Sequence, residues 1–556
     1  MGKPSEINYR SIIMAKFKEF GIMLGCAENA VPKISSLERF VDYMSLLGYN
    51  ALYLEIADTY KIDSEPYFGY MRGGYSADEI VRLDAYCKKK GVELVPAIQT
   101  LAHLHFLNNY ERFRPIIDLN DILLAGEDET YRLIDEMFAS LSRSFSSRRV
   151  NIGMDEAYLL GDGKYYYKNG RRDRIDILLD HLRKVAEIAA RYGFKCEMWS
   201  DVFFNALTKG HVYEGNAVII ENIKDLVPEG VKLVYWEYFV TGKEQCEKMI
   251  ELHRQITPDV KYAGTFFRWQ GFAPCNVFTQ KVMKRALPAC AEKGVEDVFF
   301  AVWSDYGGGA SWFSILPAMW YLSRYTACGF DETKMDFFEF RRLFGVDYAD
   351  FVLLDALNRP YTDFTEKKVS DERINNKCFF YTYNDVLYGT FDSLLSDGIS
   401  AAYENTANNL EKIDAGEFGY IFDELVALAR FLSVKADLGK RIYAAYGAGR
   451  TEELRSIAEK DLPLAADLLD EFCKRYEKRY LKENKPFGFE SACVRLGGLK
   501  ERLAFAKRRL DDYLSGAIGS IEELDEEHLP LGYASDRTED NYEVDRYTNF
   551  FLHGFL

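Results

Sequence analysis

The chain has 556 residues, 48% hydrophobic, 15% aromatic and 28% charged, a composition that excludes the disordered and fibrous classes and predicts ample core material. That length exceeds one compact core, so two large units, or a barrel with a sizeable appendage, are expected. A net charge of −17 gives no field that gathers phosphates, which argues against nucleic acid and anionic membranes as partners and favours a neutral substrate.

In chain order, residues 1–20 read as a lead segment without the apolar core of a signal peptide, and no later run approaches the ~18 apolar residues of a membrane span. From residue 21 on, short β-rich runs alternate with longer amphipathic stretches, the pattern of repeated βα units. Eight strands are predicted, at 21–24, 51–56, 93–98, 150–155, 195–199, 232–238, 261–267 and 298–303. Eight such units over this length predict an α/β fold, a closed (β/α)8 TIM barrel at 21–345 with its site at the C-terminal strand ends. An open doubly wound sheet is the alternative. The GGG at residues 307–309 follows the last strand and lacks phosphate-loop spacing, so no nucleotide cofactor is expected. Beyond Tyr321 the pattern turns helical, with long helices near 417–446, 451–480 and 496–513, which predicts an all-α C-terminal domain at 346–556. The ten cysteines stand singly without CxxC or metal-ligand spacing, which predicts reduced, mostly buried thiols, a cytoplasmic location and no metal.

The predicted strand ends are rich in carboxylates, indoles and phenols. Glu55, Asp58, Gln99 and His103 come first, then Asp155 and Glu156, then Trp199 and Asp201. Trp236, Glu237 and Tyr238 follow, with Arg268, Trp269, Trp303 and Asp305 at the last two ends. Indole faces suit the C–H face of a pyranose and carboxylates accept from its hydroxyls, so the set predicts a carbohydrate pocket. The bland alternative is that the tryptophans fill barrel layers. The sharpest motif is VNIGMDEAYLLGDGKY, a strand ending in Asp155-Glu156. Two carboxyls held close repel as anions, which favours one of them protonated, the state a general acid needs. Both reach one pocket only where the strand breaks into its loop.

Here the sequence resembles glycoside hydrolase family 20, the β-N-acetylhexosaminidases, whose signature Gly-x-Asp-Glu reads Gly153-Met154-Asp155-Glu156. The stretches NAVPKISSLERFVDYMSLLGYN, EPYFGYMRGGYS, VPAIQTLAHL, WQGFAP and NKPFGFESACVRLGGLKER resemble the bacterial branch with a helical C-terminal domain. The small α/β domain that usually precedes the barrel is expected to be missing, since the first predicted strand begins near residue 21. The resemblance implies an exo-acting retaining enzyme in which the substrate's own acetamido group is the nucleophile. Carried onto these positions, it implies Glu156 as general acid and base and Asp155 as the acceptor of the acetamido N–H. It implies Tyr238 as the phenol on the acetamido carbonyl, Trp199, Trp236 and Trp303 as aromatic walls, Asp305 as a reader of outer hydroxyls and His103 as support for the carboxylates, while Trp269 remains a substrate-binding candidate from the strand-end set. The implied partner is an oligosaccharide or glycoconjugate with a terminal N-acetylhexosamine, and a homodimer through the C-terminal domain is expected.

Departures from the family pattern accompany the match. Glu28 stands where the family has an Arg that reads sugar hydroxyls, Gly25 where Asp is common, Ala57 where Glu is common and Glu237 where Asp is usual. Arg72 and Arg268 are candidates to pair with Glu28. These changes motivate an alternative, a catalytically impaired carbohydrate-binding barrel. A metal-dependent barrel enzyme using the same carboxylates is the weakest reading, because the seven histidines show no ligand spacing with the acids.

Overall fold

The computed structural model describes residues 9–207, 227–269, 271–358 and 377–529. The lead segment before residue 9, and residues 359–376 and 530–556 of the expected C-terminal domain, lie outside them. The described chain divides into two compact units. The first holds residues up to 266 with 279–303 and 319–335, and the second holds 267–278, 304–318 and the chain from 336 onward.

The first unit is a closed barrel. Its strands are β1 (Glu19–Gly25), β2 (Ala51–Glu55), β3 (Glu93–Ala97), β6 (Arg149–Asn151), β7 (Lys195–Trp199), β8 (Lys232–Trp236), β9 (Val260–Thr265) and β10 (Asp297–Val302). They run in the order β1-β10-β9-β8-β7-β6-β3-β2, all pairs parallel. A short antiparallel hairpin, β4 (Ile117–Leu119) with β5 (Ile122–Leu123), sits in the connection from β3 to β6. The crossover segments fold as helices because their apolar residues recur at helical spacing; Ile34–Leu47, for example, buries Leu37, Phe40, Val41 and Met44. Ser76 and Glu79 close a capping box at the start of the helix Ala77–Lys89.

Alternate strand residues point inward. Met23, Ala51, Tyr53, Val95, Ala97, Trp199, Val234, Ala263 and Phe299 form one buried interior layer, with Trp236 and Trp303 packed against it. The layer mixes large rings with alanines because the interior is too narrow for a full ring of large side chains. Below it, toward the N-terminal strand ends, Lys261 is fully buried with Nζ 2.9 Å from both Glu19 and Glu197. The Tyr53 hydroxyl donates toward Glu197 at 2.9 Å, and Arg149 adds a second cation beside Glu19 and Glu197. Burial favours a neutral Glu197, but Lys261 and Arg149 overcome it and hold the carboxyl below its usual range.

The second unit is helical. Its long elements are Ile399–Leu410, Gly419–Lys435, Leu438–Gly447, Leu462–Glu483 and Phe489–Ser515. The single helix expected over 417–446 divides in two at Asp437, which leaves helical geometry at φ −100° and ψ 4°. A wider turn at Ile457–Asp461 precedes Pro463, whose ring has no N–H and crowds the carbonyl four residues back. A buried ion pair, Arg479 Nε to Glu424 at 2.7 Å, holds two of these helices together. Among the described residues no helix is long and apolar enough to cross a membrane.

Candidate active site

β6 is only three residues long, and its early end brings two consecutive carboxylates together. The Asn151 side chain accepts the N–H of Gly153 at 2.9 Å, and the chain leaves its neighbours just beyond Gly153, whose carbonyl still accepts from Trp199 at 3.2 Å. Gly153 takes φ +70°, and a Cβ there would lie 1.9 Å from Gln99 Oε1, so only glycine fits. Met154 (φ 69°) and Glu156 (φ 55°) follow in left-handed geometry, at a cost of about 1–3 kcal/mol each. The sequence pattern alone runs this strand on to Asp155; the left-handed backbone that begins at Gly153 is why it stops sooner. Among the described residues, eight of the nine non-glycine residues with positive φ lie in the connections that leave β1, β2, β3 and β6. Backbone strain is thus gathered around this face.

Asp155 and Glu156 both approach His103, with Nε2 3.3 Å from Asp155 Oδ2 and 3.7 Å from Glu156 Oε2. Their surroundings differ: the Asp155 side chain is 13% exposed and that of Glu156 50%. Gln99 Nε2 donates to Asp155 at 3.2 Å. Asp121 accepts the backbone N–H of His103 at 2.9 Å and stands 3.9 Å from its Nδ1. Burial works against a charged imidazole, but Asp155, Glu156 and Asp121 outweigh it and raise the His103 pKa well above its ordinary value.

Asp201, fully buried, ties the pair to the wall beside it. It accepts the N–H of Glu156 at 2.9 Å, the hydroxyl of Tyr158 at 3.1 Å and the indole N–H of Trp236 at 3.3 Å. Burial, followed by the charge of Asp155, pushes its carboxyl up to about 7. Trp199, Trp236, Tyr238 and Trp303 form an aromatic group. Trp303 Nε1 donates to the Tyr238 hydroxyl at 3.0 Å. Trp199 and Trp303 stand 6.0 Å apart at 49°, and Trp236 and Tyr238 5.1 Å apart at 34°.

Glu28 lies half-buried in the connection after β1 and forms no ion pair with a described residue. Arg72 is engaged elsewhere. It pairs with Asp58 at 3.1 Å, donates to Asn29 at 2.6 Å and to the carbonyl of Ala27, and lies 3.3 Å over the Phe106 ring. Arg268 belongs to the second unit, where it donates to the Ala310 carbonyl at 2.6 Å and lies over Trp312.

Of the ten candidates from the sequence, eight thus belong to the barrel unit. Trp269 and Asp305 fall in the second; Trp269 stacks on Phe267 at 4.4 Å and Asp305 opens the turn Asp305–Gly307. Gln99, Asp201, Glu55 and Asp58 were visible as strand-end polar residues but carried no motif. Asp121 and Tyr158 gave no signal at all, because each reaches the site through a fold of its own connection.

With this geometry in view, the domain family described as the Glycoside Hydrolase 20C C-terminal domain matches residues 349–543. Hexosaminidase D of Bos taurus is 23% identical over 255 residues, covering 44% of this chain and 67% of that protein. Hexosaminidase D of Homo sapiens is 25% identical over 225 residues, covering 38% and 43%. The chain therefore spans about two thirds of the first relative and under half of the second. Among solved structures, a GH20 exo β-N-acetylglucosaminidase from Vibrio harveyi, in complex with N-acetylglucosamine, matches with a TM-score of 0.45. Its identity is 13%, over 61% of this chain and 58% of that one.

Proposed function

We propose, from the match of residues 349–543 to the family 20 C-terminal domain and from the hexosaminidase relatives, that this chain is a glycoside hydrolase of family 20 and acts as an exo-acting retaining β-N-acetylhexosaminidase. It releases terminal β-linked N-acetylglucosamine or N-acetylgalactosamine. The observation that carries the reading is the convergence of adjacent Asp155 and Glu156 on one imidazole, one enclosed and the other half open.

Glu156, open to solvent on one side, protonates the glycosidic oxygen and later takes the proton of the attacking water. Asp155, enclosed, accepts the acetamido N–H and holds the carbonyl oxygen in line with the anomeric carbon. That oxygen attacks as the glycosidic bond breaks, giving an oxazolinium ion, which water opens from the face the leaving group left, with net retention. Tyr238 donates to the acetamido carbonyl, and Trp199, Trp236 and Trp303 enclose the methyl group and the sugar's C–H face. His103, charged between its carboxylates, steadies both through the two steps. A homodimer through the helical unit and a cytoplasmic location complete the proposal; the free cysteines, seven of them buried, support the latter.

The test is Glu156→Gln on two substrates. Hydrolysis of a chitobiose-like glycoside, whose leaving group needs a proton, is expected to fall by more than ~100-fold, while an activated aryl glycoside falls far less. Equal losses would remove Glu156 as the acid. A second reading, a carbohydrate-binding barrel without turnover, is favoured by Glu28 standing without a paired cation among the described residues; binding without release of the aryl group by the wild type would establish it.

A further inference from the structure

The carboxyl of Glu55 has no part in that mechanism, yet it sits at the mouth of the barrel. It ends β2 two residues beyond Tyr53, on the same inward face. Its register neighbours are Gly25 on β1 and Ala97 on β3, so neither adjacent strand sets more than a methyl group beside it. Gly25 has no room to grow: a Cβ there would stand 3.0 Å from the ring of Trp303. Glu55 is therefore flanked by the Trp303 ring lying against Gly25 on the β1 side and by only the methyl group of Ala97 on the β3 side.

Glu55 is 6% exposed, and its side chain makes no hydrogen bond to a described residue. Two further buried oxygens, Oδ1 of Asp58 and Oε1 of Gln99, lack partners among the described residues, although Gln99 binds Asp155 through its amide nitrogen. Buried polar atoms are almost always bonded, so unmet ones grouped at the mouth of a site point to a polar ligand. The charged groups that act on Glu55 are Glu28 from the β1 connection, Asp155 after β6, His103 after β3 and Asp58 from its own connection. Burial first, and then Glu28 and Asp155, push its carboxyl up to about 8, which makes it a neutral acid near pH 7. A neutral carboxyl both donates and accepts, whereas a carboxylate only accepts.

We propose that Glu55 is a specificity-determining residue of the sugar site. It donates to one ring hydroxyl of the terminal sugar while Glu28 accepts from the neighbouring one. The inference rests on the reading of this mouth as an N-acetylhexosamine site. Such a wall fits an uncharged face with free hydroxyls. It rejects a sugar carrying sulfate, phosphate or carboxylate there, because Glu28, Asp58 and Asp155 repel a second anion.

The test is calorimetric binding of methyl β-N-acetylglucosaminide and methyl β-N-acetylgalactosaminide, their 3-, 4- and 6-deoxy analogues and their 3-, 4- and 6-sulfates. Wild type, Glu55→Gln and Glu55→Ala are compared, with thermal midpoints checking that each variant folds. One deoxy analogue of the preferred epimer is expected to bind the wild type about tenfold more weakly than its parent. The same deletion should cost Glu55→Ala nothing further, and the sulfate at that position should not bind. Glu55→Gln should match the wild type at pH 6.5 and keep its affinity at pH 9.5, where the wild type loses affinity as Glu55 ionises. Additive losses for every deoxy sugar, preference for a sulfate, identical pH profiles in wild type and Glu55→Gln, or no binding by the wild type would each overturn the proposal. Because binding is read separately from turnover, coupled losses in a protein that hydrolyses nothing would remove the hydrolase reading and leave this one standing. Hydrolysis with additive losses would do the reverse.

Discussion

Asp201 accepts the backbone N–H of Glu156 at 2.9 Å and so fixes from beneath the residue proposed to move the proton. The same carboxylate takes the Tyr158 hydroxyl and the Trp236 indole, which links the carboxylate pair to the aromatic group through one buried side chain.

Asp201→Asn should therefore lower kcat by about tenfold or more with a smaller change in KM. Three donors converge on two carboxylate oxygens, and an amide replaces one oxygen with a nitrogen that donates back at them. The loss should be larger with unactivated than with activated substrates, because it misplaces the Glu156 carboxyl whose proton only the unactivated leaving group needs. Steady-state kinetics on both substrate types measures it, and an unchanged kcat would show that Asp201 is no more than a buried acid.

Glu55 and Asp201 also set a pH dependence of stability. Their folded pKa values, about 8 and about 7, lie above the ordinary carboxyl values of 4.5 and 3.8. Between roughly pH 4 and 8 the folded state keeps protons that the unfolded state has released. Their contribution is then complete below about pH 4 and is lost as pH rises toward 8. Glu55→Gln cannot ionise, so it should be more stable than the wild type at pH 8 by up to roughly 4 kcal/mol, with the difference shrinking at pH 5. Urea unfolding at the two pH values checks this; a difference that grows toward acid pH would reverse the sign.

At the other end of the barrel, Lys261 neutralises Glu19 and Glu197 in full burial. Lys261→Met leaves those carboxylates facing Arg149 alone and should cost about 3–5 kcal/mol, the scale for breaking a buried ion pair from one side. The folded fraction should keep its kcat, since this cluster lies below the interior layer and the site above it. A variant as stable as the wild type would show that the cluster is not the brace it resembles.

Much of this was legible in the sequence, and the reasons differ by element. The eight barrel strands stand out because buried parallel strands are short β-rich runs between amphipathic helices, and the Asp155-Glu156 pair stands out because it ends one of them. The place where β6 stops was hidden, because it depends on the left-handed backbone that begins at Gly153. The partners of the pair were hidden for a similar reason: Asp121 arrives through the hairpin connection after β3, far from His103 in energetic logic though not in sequence. Glu55 was visible only as a strand-end acid. Its unmet, buried carboxyl follows from Gly25 and Ala97 on the neighbouring strands, and that register exists only in the closed barrel.

The most direct test of the central claim, that the substrate's acetamido group attacks in concert with Asp155 and Glu156, is a series of aryl glycosides differing only in the N-acyl group. Replacing acetyl by mono-, di- and trifluoroacetyl weakens the carbonyl oxygen as a nucleophile while leaving the leaving group unchanged. The account predicts that kcat/KM falls steeply along the series, by on the order of 100-fold or more, as expected when that oxygen forms a bond in the transition state. A flat series, with a covalent glycosyl-enzyme trapped on a carboxylate, would contradict it.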